Sequence, residues 1–180
     1  MLDPSPGILL VAALALLFAS SAWHKTRSVP EFAAVLIAYR VLPAAVSRRI
    51  AWTVPLLELT IAAALLWQPS RRAAVVAGVA LLIAYAGGIA LNLARGRRDL
   101  DCGCAGAGNR RSIAGWMVWR NLLLAACLGV AAMPWVPRTL VATDALTIAG
   151  GLAVTALLYM TLDRLHGQIM PRAAALKGGR

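Results

Sequence analysis

The chain has 180 residues, of which 61% are hydrophobic and 14% are charged, and its mean hydropathy is +0.74. Soluble globular domains average about 45–50% apolar and about 25% charged residues, so this composition excludes an ordinary soluble domain. The 18 Lys and Arg outnumber the 7 Asp and Glu and give a formal net charge of +11. These cations lie between apolar runs, where they orient a membrane protein and contact anionic lipid headgroups, and no nucleic-acid partner is predicted.

Five apolar segments are long enough to cross a hydrocarbon core about 30 Å thick, which needs about 17–25 helical residues. They span roughly residues 6–23, 50–67, 73–93, 113–136 and 145–162. We expect an all-α, polytopic integral membrane protein: a four-helix bundle plus a fifth transmembrane helix, forming a single domain over residues 1–170. The first segment lacks the basic start and the cleavage site of a signal peptide, so we expect it to be retained. Residues 171–180 are predicted to form a basic, disordered tail.

A shorter apolar stretch between the first two spans predicts an interfacial helix over about residues 29–42. Ser28 and Glu31 match a capping box at its start, in which each side chain accepts a hydrogen bond from a backbone N–H. The helix either covers one mouth of the bundle or is an ordinary amphipathic connector.

The positive charge is distributed unequally between the two sides of the membrane. With the N-terminus outside, 14 Lys and Arg fall on the cytoplasmic side and 3 on the other. The positive-inside rule therefore predicts an N-out, C-in topology, with the loop between residues 94 and 112 in the cytoplasm.

That loop contains the most distinctive chemistry of the chain, the sequence Cys102-Gly103-Cys104. Two thiols separated by one Gly can close a small, strained disulfide ring, which is readily reduced and therefore oxidising. Neighbouring cations favour the reactive thiolate; they are Arg97, Arg98, Arg110 and Arg111. The alternatives are a half-site for a metal and a pair of structural thiols; thiolate metal sites usually need four ligands, and none is predicted here. Cys127, inside an apolar span, is predicted to be a core thiol.

Polar residues inside the spans mark further candidates for a site. Glu58 in the second span must face the bundle, be protonated or find a cation, because a carboxylate in hydrocarbon is costly. It could pair with Arg120 in the fourth span. Alternatively, Arg120 stabilises a thiolate or a reduced quinone oxygen. A Glu58–Arg120 pair that only fixes the helix register is an equal alternative to a catalytic role. Other residues expected on the cysteine side are Asn92, Trp116, Asn121 and His24. They line a cofactor site or, for the Trp and His, serve as interfacial anchors.

Several of these sequences occur in an order that resembles the MauE family of methylamine-utilisation membrane proteins, which is related to DoxX-like proteins. They are Trp23-His24-Lys25, Tyr39-Arg40-Val41-Leu42-Pro43, Pro55-Leu56-Leu57-Glu58, Asn92-Leu93-Ala94-Arg95-Gly96, Asp101-Cys102-Gly103-Cys104 and Arg120-Asn121. The resemblance covers roughly residues 8–132. Ala105 stands where family members often carry a bulky residue after the second Cys.

The resemblance implies a bundle similar to vitamin K epoxide reductase and the bacterial quinone-linked disulfide generator DsbB. It implies a membrane thiol-disulfide oxidoreductase that oxidises a thioredoxin-like partner through a Cys102–Cys104 disulfide and supports maturation of an exported protein, such as the methylamine dehydrogenase small subunit. Glu58 and Arg120 join the two thiols as candidate catalytic residues. Electrons would pass to a quinone held by Arg120, Asn121, Trp116, Asn92 and His24. Quinone-linked relatives use two Cys pairs, whereas this chain has one pair plus Cys127.

The resemblance also implies a bacterial plasma-membrane protein with an extracytoplasmic Cys pair, since disulfide formation needs an oxidising compartment. This placement opposes the one that the charge distribution predicts. Two other functions remain open: a non-catalytic assembly or scaffold factor for a redox protein, and a small-solute transporter that uses Glu58 and Arg120.

Overall fold

The structure is a computed structural model that describes residues 3–102, 112–136 and 138–177, with side chains up to Leu162. The helices are α1 (Pro4–Arg27), α2 (Val29–Ala38), α3 (Ala44–Leu66), α4 (Arg71–Ala94), α5 (Gly115–Ala131) and α6 (Ala142–Lys177). A short 3-10 turn, Gln68–Ser70, precedes α4. Within the described ranges, four helices (α1, α3, α4 with its preceding turn, and α6) are long and apolar enough to cross a membrane. The protein is therefore an all-α, polytopic membrane protein, as predicted.

Several helix boundaries differ from the sequence expectation, and α2 ends at Ala38 rather than near residue 42. Helix α5 has 17 residues and ends at Ala131 rather than near residue 136, shortly before Pro134. At 1.5 Å per residue its length is about 26 Å, somewhat less than a hydrocarbon core. Helix α3 begins at Ala44 instead of about residue 50, and α6 continues to Lys177, through part of the predicted tail.

Helices α1, α3, α4 and α5 form the bundle, because α1 packs on α3, α3 on α4, α4 on α5 and α5 on α1. Their shared core is apolar and includes Phe18, Ile61, Leu65, Leu82 and Leu128. Helix α6 lies outside this bundle, against α1. Helix α2 packs on α3, through a cluster that contains Val29, Phe32 and Ala51. A four-helix bundle with one additional long helix, and a short helix between its first two members, is the arrangement that the sequence predicts.

The bundle is closely packed at Gly78 of α4. A Cβ atom at this position would lie 2.9 Å from Cδ1 of Leu128 and 3.3 Å from Cζ of Phe18. Glycine therefore permits α4 to approach its two neighbours, as small residues do in membrane bundles.

The bundle has two ends, and the cysteine loop lies at one of them. We call this end the cysteine face; it carries the end of α1, the start of α3, the end of α4 and the start of α5. Helix α2 begins here without the expected capping box. The Ser28 hydroxyl donates to the His24 carbonyl at 3.2 Å instead of capping α2, and Glu31 is exposed. Pro30 at the start of α2 supplies a helical φ angle without a capping side chain.

At the opposite end, Arg138 ties α1 to α6. Its guanidinium donates to Asp3 at 2.9 and 3.0 Å and to Asp144 at 2.7 and 2.8 Å. It also reaches the Ser5 hydroxyl at 2.8 Å. The hydrogen bond from Arg138 is the main reason that the pKa of Asp3 falls from 3.8 to about 2. This clamp fixes the chain before α1 against the start of α6.

Candidate functional site

The cysteine loop is closed at its base by backbone pairing. The Ile113 N–H donates to the Leu100 carbonyl at 2.9 Å, and Asp101 and Ser112 form an isolated antiparallel bridge. Cys102 follows this bridge directly and is buried in an apolar cluster that contains Tyr39, Ile89, Ile113 and Met117. Cys104, the second predicted thiol, lies outside the described residues. The first thiol of the pair is thus packed against the bundle rather than displayed on the surface.

Cys102 also lines a cleft of about 280 Å³ between α2, α3 and α4. The walls are mainly apolar side chains from these elements; they include Val35, Leu36, Ile50, Val54, Leu81 and Ile89. This volume lies close to the lower end of the range of about 300–1,000 Å³ that ligand pockets occupy.

Polar groups occupy a few defined positions on the wall of this cleft. They are contributed by Lys25 of α1, Tyr39 after α2, Ser47 of α3 and Tyr85 of α4. The Ser47 side chain is 1% exposed, and its hydroxyl has no hydrogen-bond partner among the described residues. A mainly apolar cleft with a few convergent polar groups, one of them unsatisfied, has the composition of a site for a small organic ligand.

Lys25 belongs to a buried polar cluster whose centre is Glu58. Lys25 forms an ion pair with Oε1 of Glu58, and its Nζ also donates to the Ser21 and Tyr85 hydroxyls, both at 3.0 Å. The two hydroxyls in turn donate to the same Glu58 oxygen, at 3.0 Å from Ser21 and 2.8 Å from Tyr85. Oε1 therefore accepts three hydrogen bonds, and the cluster joins α1, α3 and α4.

The other carboxylate oxygen of Glu58 is in a different situation. Oε2 is buried and has no hydrogen-bond partner in the part of the chain that the structure describes. Lys25 Nζ lies 4.6 Å from the centre of the Tyr85 ring and 5.2 Å from that of Phe32, so two aromatic rings add to the stabilisation of the ammonium.

Glu58 does pair with a cation, but that cation is Lys25 and not Arg120, which was one of the candidates from sequence. Arg120 lies on α5 with its guanidinium 5.2 Å from the centre of the Trp116 ring, one turn earlier in the same helix. Helix α1 lies next to α3 and delivers Lys25 directly to the carboxylate.

The residues predicted to hold a cofactor do not line the cleft. The Asn92 amide donates to the Gly88 carbonyl at 3.0 Å and accepts from Arg97 at 3.1 Å. Asn121 is buried and donates to the Met117 carbonyl at 2.9 Å. His24 is exposed at the end of α1. Of the five residues, Trp116 is close to the site, since it packs against the cluster that contains Cys102.

Sequence reasoning missed Lys25, Ser47 and Tyr85 as site residues. A signal for Lys25 exists in α1: the buried residues Val11, Leu14, Phe18 and Ala22 recur at helical spacing, and Lys25 continues the same stripe. A lysine in line with an apolar stripe faces the core and needs a buried partner. Ser47 and Tyr85 carry no comparable signal.

Cys127 is partly buried in α5, where it packs against the apolar core of the bundle. This is the environment expected of a thiol that behaves as a small hydrophobic side chain.

Comparison with known proteins assigns the chain to a family. The family model "Methylamine utilisation protein MauE" matches residues 5–134. The chain is 38% identical to Methylamine utilization protein MauE of Paracoccus denitrificans, over 86% of this chain and 83% of that protein. It is 35% identical to the Methylophilus methylotrophus protein of the same name, over 92% of this chain and 88% of the relative. No solved structure gives a significant match. With a family match over most of its length and relatives of this similarity, the chain belongs to the MauE family of methylamine utilisation proteins.

Proposed function

We propose that this protein is a membrane thiol-disulfide oxidoreductase that uses Cys102 and Cys104 to oxidise a thioredoxin-like partner. The observation that carries the proposal is the position of Cys102. It begins the Cys-Gly-Cys sequence, follows the closed base of the loop, and lines a mainly apolar cleft between α2, α3 and α4. A thiol placed in this way can pass electrons to a ligand in the cleft.

The exchange with the partner balances without any further reactant. A thiolate of the reduced partner attacks the Cys102–Cys104 disulfide and forms a mixed disulfide, and the second partner thiol resolves it. The partner leaves with a disulfide, and Cys102 and Cys104 remain as two thiols. Two electrons and two protons have then moved from the partner to this protein.

A membrane quinone is the electron acceptor that we propose for the reduced pair. Two features of the cleft support this choice: its walls are mainly apolar, and the Ser47 hydroxyl on its wall has no hydrogen-bond partner among the described residues. A quinone accepts two electrons and two protons and becomes a quinol, which matches what the two thiols release. Cys102 forms part of the same wall, which supports a proposed acceptor next to the donor thiol.

The physiological role that we propose is maturation of an exported protein in methylamine utilisation, by disulfide formation at the bacterial plasma membrane. The relatives described above are methylamine utilization proteins by name. We propose that the cysteine face is extracytoplasmic, because protein disulfides persist in oxidising compartments.

The test is to trap the partner and to follow the redox state of the pair. Cys102→Ser and Cys104→Ser are expressed separately, each as the full chain in membranes, with Cys127→Ser as the matched control. One of the two single variants should accumulate a mixed disulfide with a thioredoxin-like protein, detected by non-reducing electrophoresis and mass spectrometry. Cys127→Ser should behave as wild type. In wild-type membranes, added quinone should convert the reduced pair to the disulfide.

Two results would contradict the proposal. If both single variants still support oxidation of the partner, the pair is not the redox site. If replacement of both thiols leaves client maturation intact while the partner still co-purifies, the protein is an assembly factor and not an oxidoreductase.

A further inference from the structure

A recess lies at the end of the bundle opposite the cysteine face. Its volume is about 400 Å³, within the range of about 300–1,000 Å³ that ligand pockets occupy. Two segments line it: residues 68–72 between α3 and α4, and residues 131–135 at the end of α5. Because α5 ends at Ala131, the residues that follow leave the helix beside the start of α4 and form one wall. We call this cavity the arginine recess.

The arginine recess is cationic. Arg71 and Arg72 belong to its wall, and no acidic residue among those described contributes to it. The carboxylates at this end of the described structure are Asp3 and Asp144, and both are bonded to Arg138. Two positive charges therefore share one recess without a carboxylate from the described part of the chain, an arrangement that favours an anionic ligand.

Arg71 is held in place by contacts that leave its terminal amino groups available. Its Nε donates to the Leu65 carbonyl at 3.1 Å, and its guanidinium lies 4.1 Å from the centre of the Trp135 ring. The Trp135 ring is fixed against α1, since a Cβ at Gly7 would lie 2.8 Å from its Cε2 atom. Within the ranges that the structure describes, the Nη groups of Arg71 donate to no other residue. A planar guanidinium fixed in this way matches the geometry of a phosphate group.

We propose that the arginine recess binds the phosphate group of an anionic phospholipid and that Arg71 and Arg72 contact this phosphate. Basic pockets between transmembrane helices are typical sites for such headgroups. The site needs neither thiol of the cysteine loop, because it lies at the other end of the bundle. It is therefore independent of the proposed redox function.

The surroundings of the recess favour a lipid over a soluble phosphate. Leu66, Trp67 and Met133 belong to or adjoin the two lining segments, and each side chain is more than half exposed. Trp side chains concentrate at the boundary between hydrocarbon and headgroups, which places Trp67 at the depth where lipid phosphates lie. A lipid can fill the recess with its phosphate and cover these apolar side chains with its acyl chains.

The experiment compares two lipids that differ only in the headgroup. The full chain in a neutral detergent is titrated with dioleoyl phosphatidylglycerol, which is anionic, and with dioleoyl phosphatidylcholine, which is zwitterionic. Native mass spectrometry gives the Kd of the first bound lipid. Arg71→Gln and Arg72→Gln each remove one cation of the recess. Arg27→Gln is the matched control, because the Arg27 guanidinium also lies over a Trp, 4.4 Å from the centre of the Trp23 ring, but belongs to the cysteine face.

Wild type should bind phosphatidylglycerol more tightly than phosphatidylcholine. Arg71→Gln should weaken binding of phosphatidylglycerol about tenfold, as expected for loss of a charge-assisted hydrogen bond. Arg72→Gln should weaken it by a smaller factor, since this side chain is exposed to solvent. Arg27→Gln should bind as wild type does. Hydrogen–deuterium exchange locates the lipid: phosphatidylglycerol should slow exchange in residues 68–72 and 131–135 of wild type, and not in Arg71→Gln.

Several results would overturn the inference. They are equal affinities of wild type for the two lipids, an equal loss in Arg27→Gln and Arg71→Gln, and protection from exchange outside the two lining segments only. Excess inorganic phosphate should leave phosphatidylglycerol bound, and displacement by phosphate would assign the recess to a soluble anion instead. If Arg71→Gln does not fold, Arg72→Gln decides, because its exposed side chain can be replaced without disturbing the bundle. Unchanged binding of phosphatidylglycerol by Arg72→Gln would then refute the site.

Discussion

Lys25 of α1 and Glu58 of α3 form an ion pair inside the bundle, with Lys25 4% and Glu58 1% exposed. The pair links two helices that are separated in sequence by the short helix α2. Because each charge compensates the other, removing one partner leaves an isolated charge in an apolar environment.

The stability of this pair can be measured with a double-mutant cycle. Lys25→Met and Glu58→Gln should each lower the free energy of unfolding by about 3–5 kcal/mol, the usual effect of isolating a buried charge. The double variant should lose clearly less than the sum of the two, since neither charge remains. Reversible unfolding in mixed micelles gives the coupling energy. Strictly additive losses would mean that the two side chains do not interact in the folded protein.

The close approach of α4 to its neighbours predicts different effects for two glycines of the same helix. Gly78→Ala places a Cβ 2.9 Å from Leu128 and 3.3 Å from Phe18, whereas Gly87→Ala meets no atom within 4 Å. Gly78→Ala should destabilise the bundle by about 1–3 kcal/mol through overpacking, while Gly87→Ala should leave stability unchanged or raise it. Thermal unfolding of both variants in the same detergent tests this, and equal melting temperatures would contradict the packing at Gly78.

The clamp at the end opposite the cysteine face predicts a dependence of stability on pH. Hydrogen bonds, first from Arg138, lower the pKa of Asp3 from 3.8 to about 2 in the folded protein. Because the folded pKa lies below the unfolded value, the contribution of Asp3 is present above about pH 4 and is lost as the pH falls through about 2. Asp3→Asn should therefore melt at a lower temperature than wild type at pH 6, and the difference should shrink toward pH 2. Arg72→Gln, at an exposed arginine on the same end, is the control. A difference that stays constant with pH would contradict the prediction.

The side of the membrane on which the cysteine face lies can be decided by labelling. In a Cys127→Ser background, a membrane-impermeant maleimide applied to intact cells after mild reduction should label Cys102 or Cys104. Thr139→Cys, placed at the other end in a chain without native cysteines, should be labelled only after permeabilisation. The reverse pattern would place the cysteine face in the cytoplasm, as the distribution of Lys and Arg predicts.

The general architecture could be predicted from the chain because it depends on local properties. Apolar runs of sufficient length identify the long helices, and the position of each loop along the chain fixes which ends share a side. The shortening of α5 at Ala131 was not predicted, although Pro134 lies nearby. The predicted capping box does not form, because the Ser28 hydroxyl donates to the His24 carbonyl in the preceding helix. A sequence motif does not show which carbonyl such a hydroxyl will choose.

The site was only partly predictable. The Cys-Gly-Cys sequence is distinctive by itself, and Glu58 stands out because a carboxylate in an apolar span needs an explanation. Its partner could not be chosen from sequence, since Lys25 and Arg120 are both cations near a helix end. The order of the helices within the bundle decides which of the two cations contacts Glu58.

By itself, then, the sequence determined that this is a helical membrane protein of the MauE family with a Cys-Gly-Cys sequence in one loop. Hydropathy, helix length and motif spacing are properties of the chain alone. Only the tertiary structure decided that Lys25 rather than Arg120 meets Glu58, and that Ser47 and Tyr85 share a cleft with Cys102. These contacts join residues from different helices, and they depend on which helices are neighbours and how each is rotated toward the core.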